Sequence, residues 1–345
     1  MDRNTLNVTP SLDTFVPEPF RHLADPSREL PRIAKDPSKM AMIAAALEQV
    51  PTRHQLLLGD ARRAVLPPES VHLVLTSPPY WTLKEYRRTA GQLGWVEDYD
   101  EFLDQLDAVW RVCHKALVPG GRLICVVGDV CLSRRSNGGR HTVVPLHAAI
   151  QDRCRTQGFD NLAPIIWHKI ANVTHEIERG GGGFLGKPYE PNAVIKNDIE
   201  FILMQRKPGG YRKPSIAART LSLLSEANFK THFRQIWTDI TGASTRDHPA
   251  PYPVTLADRL IRMFSFVGDT VLDPFTGTAS TQIAASACGR NSVGIEVDPK
   301  YHDSAMERLL KESASLLKTV EVQAGEIDSY CGQLGQPVSR QAVHT

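Results

Sequence analysis

From Val254 onward the chain alternates between two periodicities, and this alternation constrains the fold more than any other feature. Val254–Phe266 has the spacing of an amphipathic helix, and Thr270–Asp273 that of a short strand. Gly277–Cys288 follows as a small-residue helix, Ser292–Val297 as a strand, and Lys300–Leu317 as a helix with one charged face. Strands joined through helices pair in parallel, because only a long crossover returns the chain to the same edge. The expected class is therefore α/β, an open and mostly parallel sheet with helices on both faces.

The same pattern is present earlier. Gln55–Leu58, Ser70–Thr76 and Arg122–Gly128 read as strands. Asp98–Leu117 reads as a helix with Phe102, Leu106, Val109, Trp110, Cys113 and Leu117 on one face, stopped by Pro119-Gly120-Gly121. From Cys131 to Gly242 the alternation lapses, leaving strands at Ala163–Lys169 and Ile199–Arg206 among glycine-rich and basic loops. Residues 1–38 carry Pro10, Pro17, Pro19, Pro26, Pro31 and Pro37 and read as an extended arm, followed by a short helix over Ser38–Val50. The tail after Glu321 reads as polar and weakly ordered.

Composition narrows the class further. With 41% apolar and 23% charged residues in 345, a compact core is expected and wholesale disorder is not. The longest apolar run, Met40–Leu47, is far short of the roughly 20 residues of a membrane span. The N-terminal stretch has acids and no apolar segment of the secretory kind. Cys113, Cys125, Cys131, Cys154, Cys288 and Cys331 form no C-x-x-C pair, so neither zinc nor a disulfide framework is expected; Cys125 and Cys131 are read as packing residues. A soluble, cytoplasmic protein with no metal fits these features. His72 and His168 fall within strands and read as core or rim residues rather than ligands.

Three strand ends carry chemistry, and in open α/β sheets ligands sit at the carboxyl ends of strands. Asp273-Pro274-Phe275-Thr276-Gly277-Thr278 is an acid at a strand end, a tight turn, and small residues opening a helix. Glu296 ends the next strand, 23 residues after Asp273, a spacing suited to ribose hydroxyls. The turn has one glycine where a pyrophosphate needs three, so an adenosine without a pyrophosphate is the better ligand, and a nicotinamide dinucleotide the weaker one. A literal G-x-G-x-x-G at Gly181, Gly183 and Gly186 follows no strand and opens no helix, and reads as a loop. The third end is Thr76-Ser77-Pro78-Pro79-Tyr80-Trp81. Its prolines fix φ and lack N–H groups, leaving rigid carbonyls beside a hydroxyl and two aromatic rings. Such a loop offers acceptors to an amine and a stacking face to a flat ring.

Together these segments resemble the amino-methylating DNA methyltransferases that use S-adenosyl-L-methionine, over about Leu56 to Leu310 with a weaker middle third. The resemblance implies a Rossmann-like, seven-stranded sheet with an inserted target-recognition region. Catalytic loop before cofactor loop is that family's β-group order. It implies that Asp273, Pro274, Phe275, Thr276, Gly277, Thr278 and Glu296 hold the cofactor, with Asp60 near the adenine amine. Ser77, Pro78, Pro79 and Tyr80 are similar to the catalytic (D/N/S)PP(Y/F) tetrapeptide, in which Tyr80 would stack on the target ring. His248–Pro253 resembles the segment over the methionine end, and Ile166–Lys169 and Glu200–Lys207 the strands behind the site. Residues 51–130 would then be the catalytic half, 131–245 the insert, 246–320 the cofactor half, and 1–50 and 321–345 the arm and the tail.

In that family Ser at position 77 leans toward cytosine N4 over adenine N6. Double-stranded DNA is the implied partner. A catalytically silent DNA-binding protein of the same fold, and methylation of RNA or a small amine, are the competing readings. No nuclease or ATPase signature is present, so any restriction endonuclease would be another chain; monomer and homodimer both fit. The net charge of +2 leaves the distribution to decide where DNA binds. Two runs lack acids: Val130–Gln151, with Arg134, Arg135 and Arg140, and Arg206–Arg219, with Lys207, Arg212 and Lys213. Both are expected to flank the cleft and contact phosphates.

Overall fold

A computed structural model describes residues 10–84, 86–135, 137–169, 197–243 and 252–327. Eleven strands are present among them: β1 Thr52–Leu58, β2 Val71–Thr76, β3 Leu117–Val127, β4 Val130–Leu132, β5 Thr142–Val144, β6 Asp160–His168, β7 Ile199–Arg206, β8 Ile236–Trp237, β9 Thr270–Asp273, β10 Asn291–Glu296 and β11 Val320–Glu326. Nine of them form one sheet in the order β11-β1-β10-β9-β2-β3-β7-β6-β8. From β11 to β3 every neighbour is parallel, β7 runs antiparallel to both β3 and β6, and β8 is parallel to β6. The seven expected strands are the interior of this sheet. The expectation of seven is corrected by two edge strands, β8 and β11. The second of these lies where a weakly ordered tail was expected, because Thr52–Leu58 offers it a complete parallel ladder.

Period-2 alternation divides the strand side chains between two cores. Val74, Leu123, Cys125 and Val127 face α3 (Tyr99–Ala116) and α4 (Leu146–Thr156), packing on Phe102, Trp110, Leu146 and Ile150. Leu73, Leu75, Ile124 and Val126 face the other way, onto Leu256 and Leu260 of one helix (Val254–Phe264) and Ala284 and Ala285 of another (Ser280–Ala287). The sheet is thus covered on both sides, as expected. Helix α4 was not foreseen in the insert; only Leu146, Ile150 and Cys154 of it are buried, a stripe too thin to stand out.

The N-terminal region departs most from expectation. Where an extended arm was expected it forms α1 (Pro26–Ala34), preceded by 3-10 turns at Leu12–Phe15 and Glu18–Phe20, while the helix expected over Ser38–Val50 is present as α2 (Pro37–Leu47). Pro26 and Pro37 open these helices. Each stands at the first helical position, where no N–H is needed, behind an aspartate (Asp25, Asp36) that accepts from two backbone amides. Val16, Phe20, Leu30, Ile33, Ile43 and Leu47 then pack on Ala217, Leu221 and Val267 as a separate cluster.

A cleft at the carboxyl ends of the parallel strands

β9, β10 and β2 are neighbours, so Asp273, Glu296 and Ser77 meet at one end of the sheet. Asp273 is 1% exposed. It accepts from Thr76 Oγ1 at 2.7 Å, Thr281 Oγ1 at 2.7 Å, Tyr252 OH at 3.0 Å and the Phe275 amide at 3.0 Å. Tyr252 OH also contacts Thr281 Oγ1. Burial pushes the Asp273 carboxyl above its ordinary range, and its four donors oppose that shift. The side chain is therefore a hub joining the loop after β9 to the end of β2, and it does not line the cleft itself.

Glu296 does line the cleft. Its Oε2 accepts from the Gly277 amide at 2.8 Å and its Oε1 from the Asp298 amide at 3.0 Å. Burial pushes this carboxyl up to about 7. Gly277 has φ of +53°, which glycine adopts without strain, and that turn aims its N–H at Glu296. Thr276 is buried beneath the loop, where a Cβ on Gly294 would collide with its Oγ1. Thr278 turns away, its carbonyl and hydroxyl accepting from Arg308. Of the expected cofactor loop, Pro274, Phe275 and Gly277 reach the cleft.

The cleft is narrow, with a cavity volume of about 50 Å³. Gly59, Asp60 and Ala61 form one wall, with the Asp60 carboxylate held by Arg62 Nε at 2.8 and 2.9 Å. Ser77 and Pro79 form the floor toward β2, and Tyr86, Gly91, Gln92, Leu93 and Tyr301 close the front. Sequence reasoning did not find this front wall. Its signal was a tyrosine eight residues before a Gly-Trp pair (Gly94-Trp95), in a segment without periodicity.

The Ser77-Pro78-Pro79-Tyr80 tetrapeptide lies at the end of β2, but Tyr80 is not presented as a stacking face. Its ring is 4% exposed. Its hydroxyl lies 3.2 Å from Ser77 Oγ and donates to the Val126 carbonyl at 3.4 Å. Gly128 packs against this ring and Glu200, where a Cβ would stand in ordinary contact at 3.4 Å from each. Trp81, with φ of +47°, is the half-buried aromatic beyond it, an unusual backbone state of the kind concentrated at working sites.

The two basic runs separate. Arg134, Arg135 and Arg140 are exposed on the β4–β5 hairpin, which leaves the carboxyl end of β3 and packs near Trp81–Leu83. Arg212, expected beside the cleft, lies at the opposite end of the sheet. It clamps Asp269, just before β9, through contacts of 2.8 and 2.5 Å, with its guanidinium 5.5 Å over Phe266. Lys213 is exposed next to it. The reason is topological: β7 runs antiparallel, so the chain leaving Arg206 emerges at the amino end.

His72 Nδ1 accepts from the Thr270 amide and His168 lies 3.2 Å from Asp198, both satisfied as expected. No cluster of three or more metal-ligating side chains occurs among the described residues. No helix among them is long and apolar enough to cross a membrane. Gly181, Gly183, Gly186 and residues 248–251 lie outside the described residues.

A Rossmann-like sheet with paired acids at adjacent strand ends and a Ser-Pro-Pro-Tyr loop beside them defines a class, and residues 71–307 match the DNA methylase family model of amino-methylating enzymes. The chain belongs to that family. It is 34% identical over 290 residues to the type II methyltransferase M.MjaI of Methanocaldococcus jannaschii, spanning 75% of this chain and 92% of the relative. It is 33% identical to M.MthZI of Methanothermobacter thermautotrophicus, spanning 75% of this chain and 77% of the relative. Among solved structures, TTHA0409 of Thermus thermophilus, complexed with S-adenosyl-L-methionine, superposes with a TM-score of 0.63 at 53% identity, covering 78% of this chain and 99% of that one.

Proposed function

We propose that this chain transfers the methyl group of S-adenosyl-L-methionine to the N4 amine of a cytosine flipped out of double-stranded DNA at a specific sequence. The observation that carries this reading is that Ser77 and Pro79 of the Ser-Pro-Pro-Tyr loop and the Glu296–Gly277 pair line a single cleft, which puts an amine-binding loop and an adenosine-type site side by side. The residues fit the cofactor. A buried carboxylate free of any cationic partner among the described residues suits ribose hydroxyls, and Phe275 and Tyr301 supply apolar surface.

When bound, the sulfonium supplies an electrophilic methyl group and a neutral leaving group. The chain's own task is to make a poor nucleophile reactive. A cytosine amine has its lone pair conjugated into the ring. Hydrogen bonds from its two N–H groups, one to Ser77 Oγ and one to the Pro78 carbonyl, favour a pyramidal nitrogen with the lone pair directed away from the loop. Positioning and electrostatics then carry the rate, with no covalent enzyme intermediate. A base stacked in a duplex cannot reach the loop, so extrusion is required, at a cost of a few kcal/mol. The exposed Arg134, Arg135 and Arg140 stand at the correct end of the sheet to hold the flanking phosphates. Similarity to type II methyltransferases supports the modification half of a restriction–modification pair, with the nuclease on a separate chain.

Incubation with labelled cofactor and genomic DNA, followed by nucleoside mass spectrometry, tests the reading. N4-methylcytosine is the expected product. N6-methyladenine would overturn the choice of base, and absence of any methylated nucleoside would overturn the activity.

A further inference from the structure

Asp129 and His147 stand at the two roots of the β4–β5 hairpin, directly before β4 and shortly after β5. Their side chains meet across that gap. His147 Nδ1 donates to Asp129 Oδ1 at 2.6 Å, and the His147 backbone amide donates to the same oxygen at 3.2 Å. The second bond answers a need of α4, whose first-turn amides have no partner within the helix. Pro145 is the N-cap and has no side chain able to accept, so the Asp129 carboxylate takes that place from outside the helix. The imidazole is held on its face as well. It lies flat on Phe201, with ring centroids 3.8 Å apart and planes 11° apart. Phe201 belongs to β7 and pairs with Val127 in the ladder with β3. Both roots of the hairpin are therefore fastened to the main sheet, at the end where Ser77 follows β2.

The hairpin needs such fastening. Its strands are only Val130–Leu132 and Thr142–Val144, and a two-stranded ribbon of that size is barely stable alone. Val130 is buried, and Leu132 and Val144 pack on the core beneath α3 and α4. The turn beyond carries the exposed Arg134, Arg135 and Arg140. It is shaped by the Gly139 amide donating to the Arg134 carbonyl at 2.9 Å and by Asn137 Nδ2 donating to Thr142 Oγ1 at 2.8 Å. We propose that Asp129 and His147 are positioning residues, a clasp that aims these arginines at DNA phosphates from the carboxyl end of the sheet. The role rests on the reading above that the chain acts on double-stranded DNA and that those arginines hold its phosphates. A ribbon pivoting at an open root would spread its cations over many poses, and narrowing them on binding subtracts from affinity. Neither Asp129 nor His147 lines the cleft with Glu296 and Gly277. Loss of the clasp is therefore read in DNA affinity and not in cofactor affinity.

The test measures affinity for a labelled random-sequence duplex, where phosphate contacts dominate, and cofactor affinity by calorimetry. The variant with Arg134, Arg135 and Arg140 all replaced by alanine comes first. If it binds the duplex as tightly as wild type, the hairpin is no DNA contact, and the phosphate reading falls with the clasp. Given a loss there, Asp129→Ala should weaken duplex binding about tenfold, the scale of one hydrogen bond to a charged group. Cofactor affinity should stay within about twofold. Asp129→Asn, whose amide oxygen still accepts from both donors, should recover most of the loss; an asparagine variant as weak as the alanine one overturns the clasp. Added to the triple-arginine variant, Asp129→Ala should change duplex binding by less than about twofold, because the two act as one unit. A full tenfold loss in that background places the effect of the aspartate elsewhere and overturns the clasp alone. So does an Asp129→Ala protein that binds DNA like wild type. If Asp129→Ala fails to fold, His147→Phe, which keeps a ring on Phe201 and drops the Nδ1 donor, must show the same split between DNA and cofactor affinity. Equal losses in that variant overturn the proposal.

Discussion

One aspartate stands just before β9 and another ends it, and the two lead different lives. Asp269, at the amino end, is answered by a guanidinium: Arg212 clamps it from the side, and His72 stands 3.7 Å away. Asp273, four residues on, is answered by hydroxyls and a backbone amide with no cation among the described residues. The amino end of the sheet is thus built for closure, with charge neutralised locally. At the carboxyl end, Asp273 and Glu296 are held in place by neutral donors, although Asp60 and Asp298 nearby are paired with Arg62 and Arg87. The difference teaches that two carboxylates four residues apart can be satisfied by different chemistry, one by a guanidinium and one by hydroxyls and a backbone amide.

The largest expected effect tests that contrast on stability. Asp273→Ala leaves Thr76, Thr281 and Tyr252 without their buried acceptor and should lower unfolding free energy by about 3–5 kcal/mol. Asp269→Ala frees a half-exposed arginine and should cost about 1–2 kcal/mol. Denaturant titration of both variants compares them, and equal losses would erase the distinction between the two ends.

Next comes the chemistry. Ser77→Ala should slow single-turnover methylation on the order of 10²-fold, by analogy with deletion of a preorganised oxyanion-hole donor, with cofactor and DNA affinity nearly intact. Full activity would leave the Pro78 carbonyl as the main acceptor.

Glu296 probes the carboxyl end. Glu296→Ala should weaken cofactor binding by about 1–3 kcal/mol in calorimetry. Burial raises its carboxyl from 4.5 to about 7, so the folded protein holds that proton more tightly than the unfolded chain. Stability of the cofactor-free protein should therefore fall as pH rises from about 4.5 to about 7, by at most about 3 kcal/mol. That slope should vanish in Glu296→Gln; persistence would assign it to other groups.

The smallest effect concerns DNA. Replacing Arg134, Arg135 and Arg140 with alanine should flatten the log–log salt dependence of DNA binding by up to about 3 units. Arg212→Ala should leave the slope unchanged, because its charge is engaged with Asp269 at the far end. A reversed result would place the phosphate track at the amino end.

Where one residue's periodicity decided an element, the sequence was readable. Ile199–Arg206 and Thr270–Asp273 were delimited to the residue, since alternating apolar runs end abruptly at charge. Ser77 and Glu296 stood out because one follows and the other ends such a strand. What escaped depended on partners distant in the chain. The N-terminal prolines read as breakers until Asp25 and Asp36 turned them into helix starts. Thr76 is an unremarkable strand residue until Asp273 is set beside it, and Arg212 was misplaced because the direction of β7 is a property of pairing rather than of composition. Tyr80 illustrates the limit within the site: the tetrapeptide was legible, while the burial of its ring and the turn of its hydroxyl to the Val126 carbonyl are set by tertiary packing.

The hydrogen bond from Thr76 to Asp273 spans 197 residues, and β2 joins β9 over that separation through Leu73 with Val271 and Val74 with Leu272. During synthesis at about 5–20 residues per second, the partner of β2 emerges on the order of ten to forty seconds after it. Throughout that interval Leu73, Val74 and Leu75, all wholly enclosed in the finished protein, border a strand with a bare edge. The halves of the molecule must be kept from meeting other nascent chains until the second arrives, which makes the growing polypeptide a natural client for chaperones that shield β edges. A truncation before Thr270 should never escape them.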